Sequence, residues 1–361
     1  MEGVVNALAL PSAEFWNGRT VLLTGHTGFK GGWLAAWLRR LGADVVGVSL
    51  PGVPASPRLW DELAALAVVE VEADVAQPDW VGTVAAHQPD IVLHLAAQSL
   101  VPTSYREPLR TFESNVMGTA RVMEFVTGAP SVQAALCVTT DKVYDPRQRG
   151  PHPEADFLGG HDPYAASKAA AELVVSSWPK GSSRVGTARA GNVIGGGDWS
   201  DDRLVPDLVR AWSAGRTPIL RMPAAVRPWQ HVVQPLHGYL LYVEALAGDG
   251  GGTALPSALN FGPEANQVVP VAELVAGAAE AWARHGGSLP TPATGAEDAP
   301  PMVETEFLAI DSAAAAATLG WHNVLDWRTA IDWTMEFYRS EKPALELIDA
   351  QLARYEEAVR G

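Results

Sequence analysis

Thr24-Gly25-His26-Thr27-Gly28-Phe29-Lys30-Gly31 joins the apolar run Val21-Leu22-Leu23 to the helix-like stretch Gly32-Trp33-Leu34-Ala35-Ala36-Trp37-Leu38-Arg39-Arg40. A buried strand that turns at once into a helix needs residues that let the backbone bend and approach a ligand closely, and glycine allows both. A helix N-terminus adds unpaired N–H groups and a partial positive charge, so the turn suits the pyrophosphate of a dinucleotide. Taken alone, the same glycines also describe a tight turn and nothing more.

The segments that follow favour the cradle. Apolar runs recur at Ala43 to Leu50, Ala67 to Val71, Ile91 to Leu95 and Ala134 to Val138, with helical stretches between them. Such alternation predicts an α/β fold, a doubly wound parallel Rossmann sheet whose ligands lie beyond the carboxyl ends of the strands. A dinucleotide-binding domain is expected over 14–190, with part of 228–260 returning to it. A smaller, mainly substrate-binding α/β domain is expected over 191–350. Asp74, just after the third strand, reads either as a contact for the adenine amino group or as an ordinary turn aspartate.

Composition narrows the function classes. The chain has 361 residues and a net charge of −15, which argues against a nucleic-acid surface while leaving room for a local basic pocket. Its one cysteine, Cys137, lies in an apolar run and reads as a small buried hydrophobe, so no internal disulfide or cysteine zinc cluster is expected. No metal site is expected either. No segment sustains the roughly eighteen apolar residues of a spanning helix, so a cytoplasmic protein without membrane contact is expected. Ala247 to Ser257 and Gly286 to Pro301 read as surface connections.

Two further motifs carry chemistry. Asp162-Pro163-Tyr164-Ala165-Ala166-Ser167-Lys168 opens an alanine-rich helix, and the i,i+4 spacing puts Tyr164 and Lys168 on one face. An ammonium beside a phenol favours the phenolate, so Lys168 is expected to lower the Tyr164 pKa and make it a base for a hydroxyl group. Thr139-Thr140-Asp141-Lys142-Val143-Tyr144 follows the fifth strand and should emerge at the sheet's carboxyl edge. There Thr140 can hydrogen-bond a reacting oxygen, while Asp141 and Lys142 add an acid and a base beyond what a simple oxidation needs. A solvated Asp–Lys pair is the alternative reading of those two residues.

At this point the chain resembles the extended short-chain dehydrogenase/reductase superfamily of nucleotide-sugar enzymes, and within it the CDP-glucose 4,6-dehydratases. The resemblance rests on TGHTGFKGGWL at Thr24 to Leu34, SYREP at Ser104 to Pro108 and SNVMGT at Ser114 to Thr119. It continues through TTDKVY at Thr139 to Tyr144, GGHDPYAASKAAAELV at Gly159 to Val174, RAGNVIGGGDW at Arg189 to Trp199 and RPWQHV at Arg227 to Val232. It spans about Phe15 to Tyr242 and fades beyond. Lys142 discriminates, because the dTDP-glucose relatives carry glutamate there.

The resemblance implies NAD as cofactor, held by Gly25, Thr27, Gly28, Phe29, Lys30 and Gly31, by Asp74, Val75, Leu95, Ala96, Ala97 and Asn115, and by Tyr164 and Lys168. It implies an internal redox cycle on a nucleotide-sugar substrate. Tyr164 deprotonates the 4-hydroxyl while hydride leaves C4, Lys142 removes the C5 proton, and Asp141 protonates the departing 6-hydroxyl before the hydride returns to C6. Asn192, Asp198, Trp199, Arg203, Arg221 and Arg227 are implied to bind the substrate, the arginines suiting its diphosphate. A homodimer is implied through the predicted helices Ser104 to Gly128 and Pro163 to Trp178.

Two positions depart from expectation. Val48-Ser49-Leu50-Pro51 offers no acid for a ribose 2′-hydroxyl, which keeps NADP open with Arg58 as a phosphate partner, and Val101-Pro102-Thr103 lacks the basic residue common in relatives. A different nucleotide-sugar reaction, such as 4-epimerisation or reduction, would need Tyr164 and Lys168 but not Asp141 or Lys142. A non-catalytic dinucleotide sensor would need none of the four.

Overall fold

The computed structural model describes residues 9–52, 66, 68–148, 150–179, 181–248, 255–264, 267–288, 294–295 and 307–361. Its centre is a seven-stranded parallel sheet built from β1 (Thr20–Thr24), β2 (Asp44–Ser49), β3 (Val69–Glu72), β4 (Ile91–His94), β5 (Ala134–Val138), β6 (Arg184–Arg189) and β7 (Ala258–Asn260). The spatial order is β7-β6-β5-β4-β1-β2-β3, with every pairing parallel. The order reverses between β1 and β4, where a crevice opens at the carboxyl ends of the strands.

Successive side chains sort to opposite faces, as strand geometry demands. Val21, Leu23, Ile91, Leu93, Ala134 and Leu136 pack on one face with helix α1 (Phe29–Arg40) and the later helix at Val233–Ala247. Leu22, Val46, Val92 and Ala135 pack on the other against Val122, Phe125 and Val126 of α2 (Gly118–Gly128). Trp33 and Trp37 of α1 are completely buried, one helical turn apart, and pin the helix to the sheet. Truncating either to alanine costs about 3–5 kcal/mol.

The next helix of the sheet layer is α3 (Pro163–Ser177), started by the Asp162 carboxylate, whose Oδ1 accepts the Ala165 N–H at 2.8 Å. A second core joins α4 (Leu204–Ser213), α6 (Val271–Arg284) and α7 (Trp327–Arg339) around Val205, Leu208, Leu274, Ala278, Ile331 and Met335. Helix α5 (Val233–Ala247) returns to the large sheet ahead of β7. The closing helix α8 (Ala344–Arg360) packs beside α1, with the Tyr355 hydroxyl 2.9 Å from Nδ1 of His237.

Three expectations are corrected in detail. The second and third strands are shorter than their apolar runs, and Ala67 lies outside the described residues. The helix expected over Ser104 to Gly128 is broken. Helical segments at Val101–Arg106 and Pro108–Phe112 and a π-turn at Glu113–Met117 precede α2, because Pro108 has no N–H to continue the ladder from Arg106. Strands β6 and β7 were not expected at all. The second carries three residues, and the first begins and ends in arginine.

Candidate active site

The crevice beyond the strand ends is a cleft of about 1000 Å³ walled by the turns after β1, β4, β5 and β6 and by the segment containing α4. Gly25 sits at φ +74°, and a Cβ there would come within 2.7 Å of the Ala96 backbone nitrogen. A Cβ on Gly31 would lie 2.0 Å from the Gly25 carbonyl oxygen. Glycine is therefore required at both positions. Helix α1 has no side-chain cap, Gly28 being its N-cap, so its first-turn N–H groups are left for a ligand. Gly25, Thr27, Gly28, Phe29, Lys30 and Gly31 all line the cleft, joined by Leu95, Ala96 and Ala97 from the β4 end. This cradle fits a dinucleotide pyrophosphate.

The wall excludes some expected members. Asp74, Val75 and Asn115 do not line the cleft. Asp74 turns its Oδ1 to the Ala76 N–H at 2.9 Å, and Val75 packs beneath Gly118. Asn115 is buried, accepting the Gln98 N–H at 2.8 Å and donating to the Gln98 carbonyl at 2.9 Å and to Ser167 Oγ at 2.8 Å. It fixes the shape of the β4 loop from behind. Ser49 and Leu50 line the cleft after β2, where an acid is absent, while Arg58 lies outside the described residues.

Thr140, Asp141, Lys142, Tyr164 and Lys168 come together on the floor of the cleft. Thr140 caps a short 3₁₀ turn over Asp141–Val143. Its Oγ1 accepts the Lys142 N–H at 3.4 Å and donates to Asp141 Oδ1 at 3.1 Å. Lys168 Nζ donates to the Val138 carbonyl at 2.8 Å. Burial pushes the Lys168 ammonium down to about 8. Burial also pushes the Tyr164 phenol up to about 12, opposed first by a hydrogen bond with Thr140. The expected lowering by Lys168 is thus reversed, because loss of solvent around the anion outweighs its polar neighbours.

Lys30, expected at the cofactor cradle, also has charged neighbours that the sequence did not announce. Its first-turn site on α1 brings it among charges from other segments. Burial pushes its ammonium down to about 7, Arg203 and Lys168 act in the same direction, and Asp141 and Asp198 oppose them. Neighbouring His26 is buried outside the cleft wall, beneath Gly47, with its Nε2 3.7 Å from Glu70 Oε1. Burial lowers its pKa to about 4.

The far side of the cleft holds the expected substrate residues except one. Asn192, Asp198, Arg203, Arg221 and Arg227 line it. Asn192 adopts a left-handed backbone at φ +41°. Arg203 bridges the two walls, with Nη1 3.4 Å from Asp198 Oδ2 and Nη2 donating to Ser99 Oγ at 3.1 Å. Arg221 pairs with Asp202 at 2.9 Å, and buried Arg227 donates to the Val226 carbonyl at 2.9 Å. Trp199 is outside the wall, its ring edge-on to Tyr338. His231 sits edge-on to both Trp33 and Trp333, a packed structural histidine whose pKa burial lowers to about 3.

Residues 21–255 match the model of the NAD dependent epimerase/dehydratase family. The chain belongs to that family. The cofactor is accordingly NAD. The chain is 37% identical over 322 residues to CDP-glucose 4,6-dehydratase of Salmonella typhimurium, covering 86% of this chain and 87% of the relative. It is 26% identical to dTDP-glucose 4,6-dehydratase 1 of Escherichia coli, with 71% and 74% covered. Among solved structures, the fold matches DesIV, a dTDP-glucose 4,6-dehydratase from Streptomyces venezuelae, with TM-score 0.75, 22% identity and coverage of 89% of this chain and 97% of that one. A UDP-glucose 4-epimerase from Thermotoga maritima matches with the same TM-score, 19% identity and coverage of 89% and 98%. The shared fold thus serves more than one sugar reaction, and the floor of the cleft must decide between them.

Proposed function

We propose that the protein is a nucleotide-sugar 4,6-dehydratase acting on CDP-glucose and forming CDP-4-keto-6-deoxyglucose. The observation that carries the reading is the presence of Asp141 and Lys142 on the same cleft floor as Thr140, Tyr164 and Lys168. An epimerase or reductase needs only one proton-transfer group at C4. Removing water across C5 and C6 needs a base for the C5 proton and an acid for O6.

In this reading Tyr164 takes the O4 proton, Lys142 holds the C5 proton, and Asp141 protonates O6 as it leaves. Bound NAD supplies the hydride acceptor at C4 and the donor at C6, so no net oxidation results. Lys168 holds its ammonium against Val138, beside the phenol's helix turn. Arg227, Arg221 and Arg203 are among the cations that line the cleft and suit the diphosphate. The 37% identical relative named for CDP-glucose favours cytidine as the base.

A homodimer is part of the same proposal. Tyr105, Leu109, Met117 and Leu173 are large apolar residues 48%, 79%, 55% and 58% exposed on adjoining segments around α3. An apolar face of that kind calls for a partner, and a second copy supplies a self-complementary one. No helix among the described residues is long and apolar enough to cross a membrane, and a cytoplasmic location is proposed with it.

Incubating the protein with CDP-glucose and NAD tests the reading. Loss of one water by mass without accumulation of reduced cofactor is the expected result. An unchanged mass with CDP-glucose, and loss of water from another nucleotide sugar, would move the substrate assignment. Interconversion at C4 with no mass change would replace the reaction. Lys142→Ala should slow elimination far more than oxidation at C4.

A further inference from the structure

Past the catalytic floor the cleft continues between α4 and the short strand Ile219–Leu220, and two ties fix how these walls run. Arg221 Nη2 donates to Asp202 Oδ1 at 2.9 Å, joining the residue after the strand to the segment ahead of α4. At the other end of the helix the Arg216 N–H donates to the Ala211 carbonyl at 2.8 Å. The two walls therefore run antiparallel, which brings the middle of α4 level with the stretch from Thr217 to Ile219. Asp207, Arg210 and Ala211 share one face of the helix by their i,i+3 and i,i+4 spacing, and all three line the cleft. Ile219 lines it too and is 68% exposed.

A nucleotide sugar is a linear ligand: sugar, diphosphate, ribose, base. Its sugar must lie over Thr140 and Tyr164. The chain then leads outward from the floor, because the Asp141 N–H meets the Ala190 carbonyl at 3.4 Å and the Gln230 N–H meets the Asn192 carbonyl at 3.3 Å. Arg227 stands three residues before Gln230, Arg221 six residues before that, and Ile219 beyond. With the diphosphate at Arg227 and Arg221, the base falls between Ile219 and the face of α4.

That face carries one donor and one acceptor side by side. Arg210 Nη2 donates to Asp207 Oδ1 at 2.6 Å, and Asp207 Oδ2 has no hydrogen bond from the described residues. Arg210 also donates from Nη1 to the Trp199 carbonyl at 3.0 Å and from Nη2 to the Ser200 carbonyl at 3.1 Å. Of its five N–H hydrogens, the one on Nε and one on Nη1 are left over. The wall's other carboxylates are placed elsewhere. Asp198 accepts the Ser200 N–H at 3.0 Å beside Arg203, Asp202 stands with Arg221 at the level of the diphosphate, and Asp141 belongs to the floor.

Resting on the reading of the protein as a CDP-glucose 4,6-dehydratase, we propose that Asp207 and Arg210 read the base, Asp207 accepting from the cytosine 4-amino group and Arg210 donating to N3, with Ile219 against the ring. Cytosine presents a donor at position 4 beside an acceptor at N3, and the pair presents the matching acceptor beside a donor. Uracil and thymine reverse both, with a carbonyl oxygen at position 4 and an N–H at position 3. The Asp207 carboxylate would face that oxygen, acceptor against acceptor, so the same residue attracts one base and repels the others.

Calorimetric titration of the NAD-saturated protein with CDP and with UDP isolates the base, since ribose and diphosphate are the same in both. CDP should bind more tightly by about tenfold or more. Asp207→Asn replaces a pure acceptor by an amide that also donates, and should cut the preference to about threefold or less by weakening CDP and strengthening UDP. A third probe needs no variant: CDP with hydrogen in place of the 4-amino group should bind the parent about tenfold more weakly than CDP. Far-ultraviolet circular dichroism and NAD binding of the variant should match the parent. Equal binding of CDP and UDP by the parent, an undiminished preference in Asp207→Asn, or full affinity for the probe lacking the amino group would each overturn the assignment. Dehydration of CDP-glucose by a protein that binds the two nucleotides equally would overturn the base-reading pair alone. Selective, Asp207-dependent binding of CDP without dehydration of CDP-glucose would support the pair and count against the reaction.

Discussion

Arg189 grips Glu172 with two parallel bonds, Nε to Oε1 and Nη2 to Oε2, each 2.9 Å long. The pair joins the end of β6 to the middle of α3 and is nearly fully buried on both sides. Thr139 and Thr187 donate to the same carboxylate, and Arg189 Nη1 donates to the Tyr144 hydroxyl at 2.8 Å. The loop carrying Thr140, Asp141 and Lys142 is thereby tied at both ends to a satisfied charge network.

Breaking that network by Glu172→Ala leaves a guanidinium buried without its counter-ion. The expected loss is about 3–5 kcal/mol of stability. Urea unfolding followed by tryptophan fluorescence measures it, and a loss below about 1 kcal/mol would place the pair among those that exposed water already compensates.

Gly191 should be irreplaceable for a steric reason. A Cβ at this position would lie 1.5 Å from Asp141 Oδ2, so Gly191→Ala must displace the carboxylate. Turnover is expected to fall by about a hundred-fold or more, with cofactor binding kept because the glycine cradle lies elsewhere. Calorimetric titration with NAD beside the steady-state rate separates the two effects.

The site residues were legible in kind more than in arrangement. The glycine turn and the first five strands follow from local patterns, because a buried parallel strand and a tight strand-to-helix turn leave marks within a few residues of each other. The buried Arg189 at the end of β6 left no such mark. A charged residue in a strand reads as exposed until its partner Glu172, 17 positions earlier, is brought beside it. The same holds for Lys30, whose charged neighbours Asp141, Lys168, Asp198 and Arg203 come from separate segments. Asn115 shows the converse, since its side chain satisfies Gln98 backbone groups that local sequence does not reveal, whereas Asp74 takes the turn reading and accepts the Ala76 N–H two residues on.

Lys30 gives the folded protein a distinct pH dependence. At pH values below about 7 it is protonated in both folded and unfolded chains, and the folded state bears the cost of the buried charge. Between about 7 and its ordinary value of 10.5, only the unfolded chain holds the proton, so this contribution to stability improves as pH rises. Lys30→Met removes the cost. Its gain in Tm over the parent should be largest near or below neutrality and shrink toward about pH 10, whereas a gain that grows with pH would contradict the burial of the ammonium.

The exposed apolar face around α3 makes the dimer testable. Leu109 and Leu173 are 79% and 58% exposed, so aspartate at either position costs the isolated chain little. At a dimer interface the same changes bury carboxylates without partners. Leu109→Asp with Leu173→Asp should shift the sedimentation coefficient from dimer to monomer with Tm changed by only a few degrees. An unchanged dimer would locate the interface on another surface.

Trp33 on α1 donates its indole N–H to the Gly196 carbonyl at 2.9 Å, and neither residue lines the cleft. The helix whose first turn cradles the dinucleotide is thus stitched to the glycine loop that leads into Asp198. A shift of either element is felt by the other, and linkage makes the influence mutual: whatever sugar binding does to cofactor affinity, cofactor binding does in equal measure to the sugar. One indole can therefore serve as a thermodynamic clasp, letting two chemically unrelated passengers sense each other across the cleft.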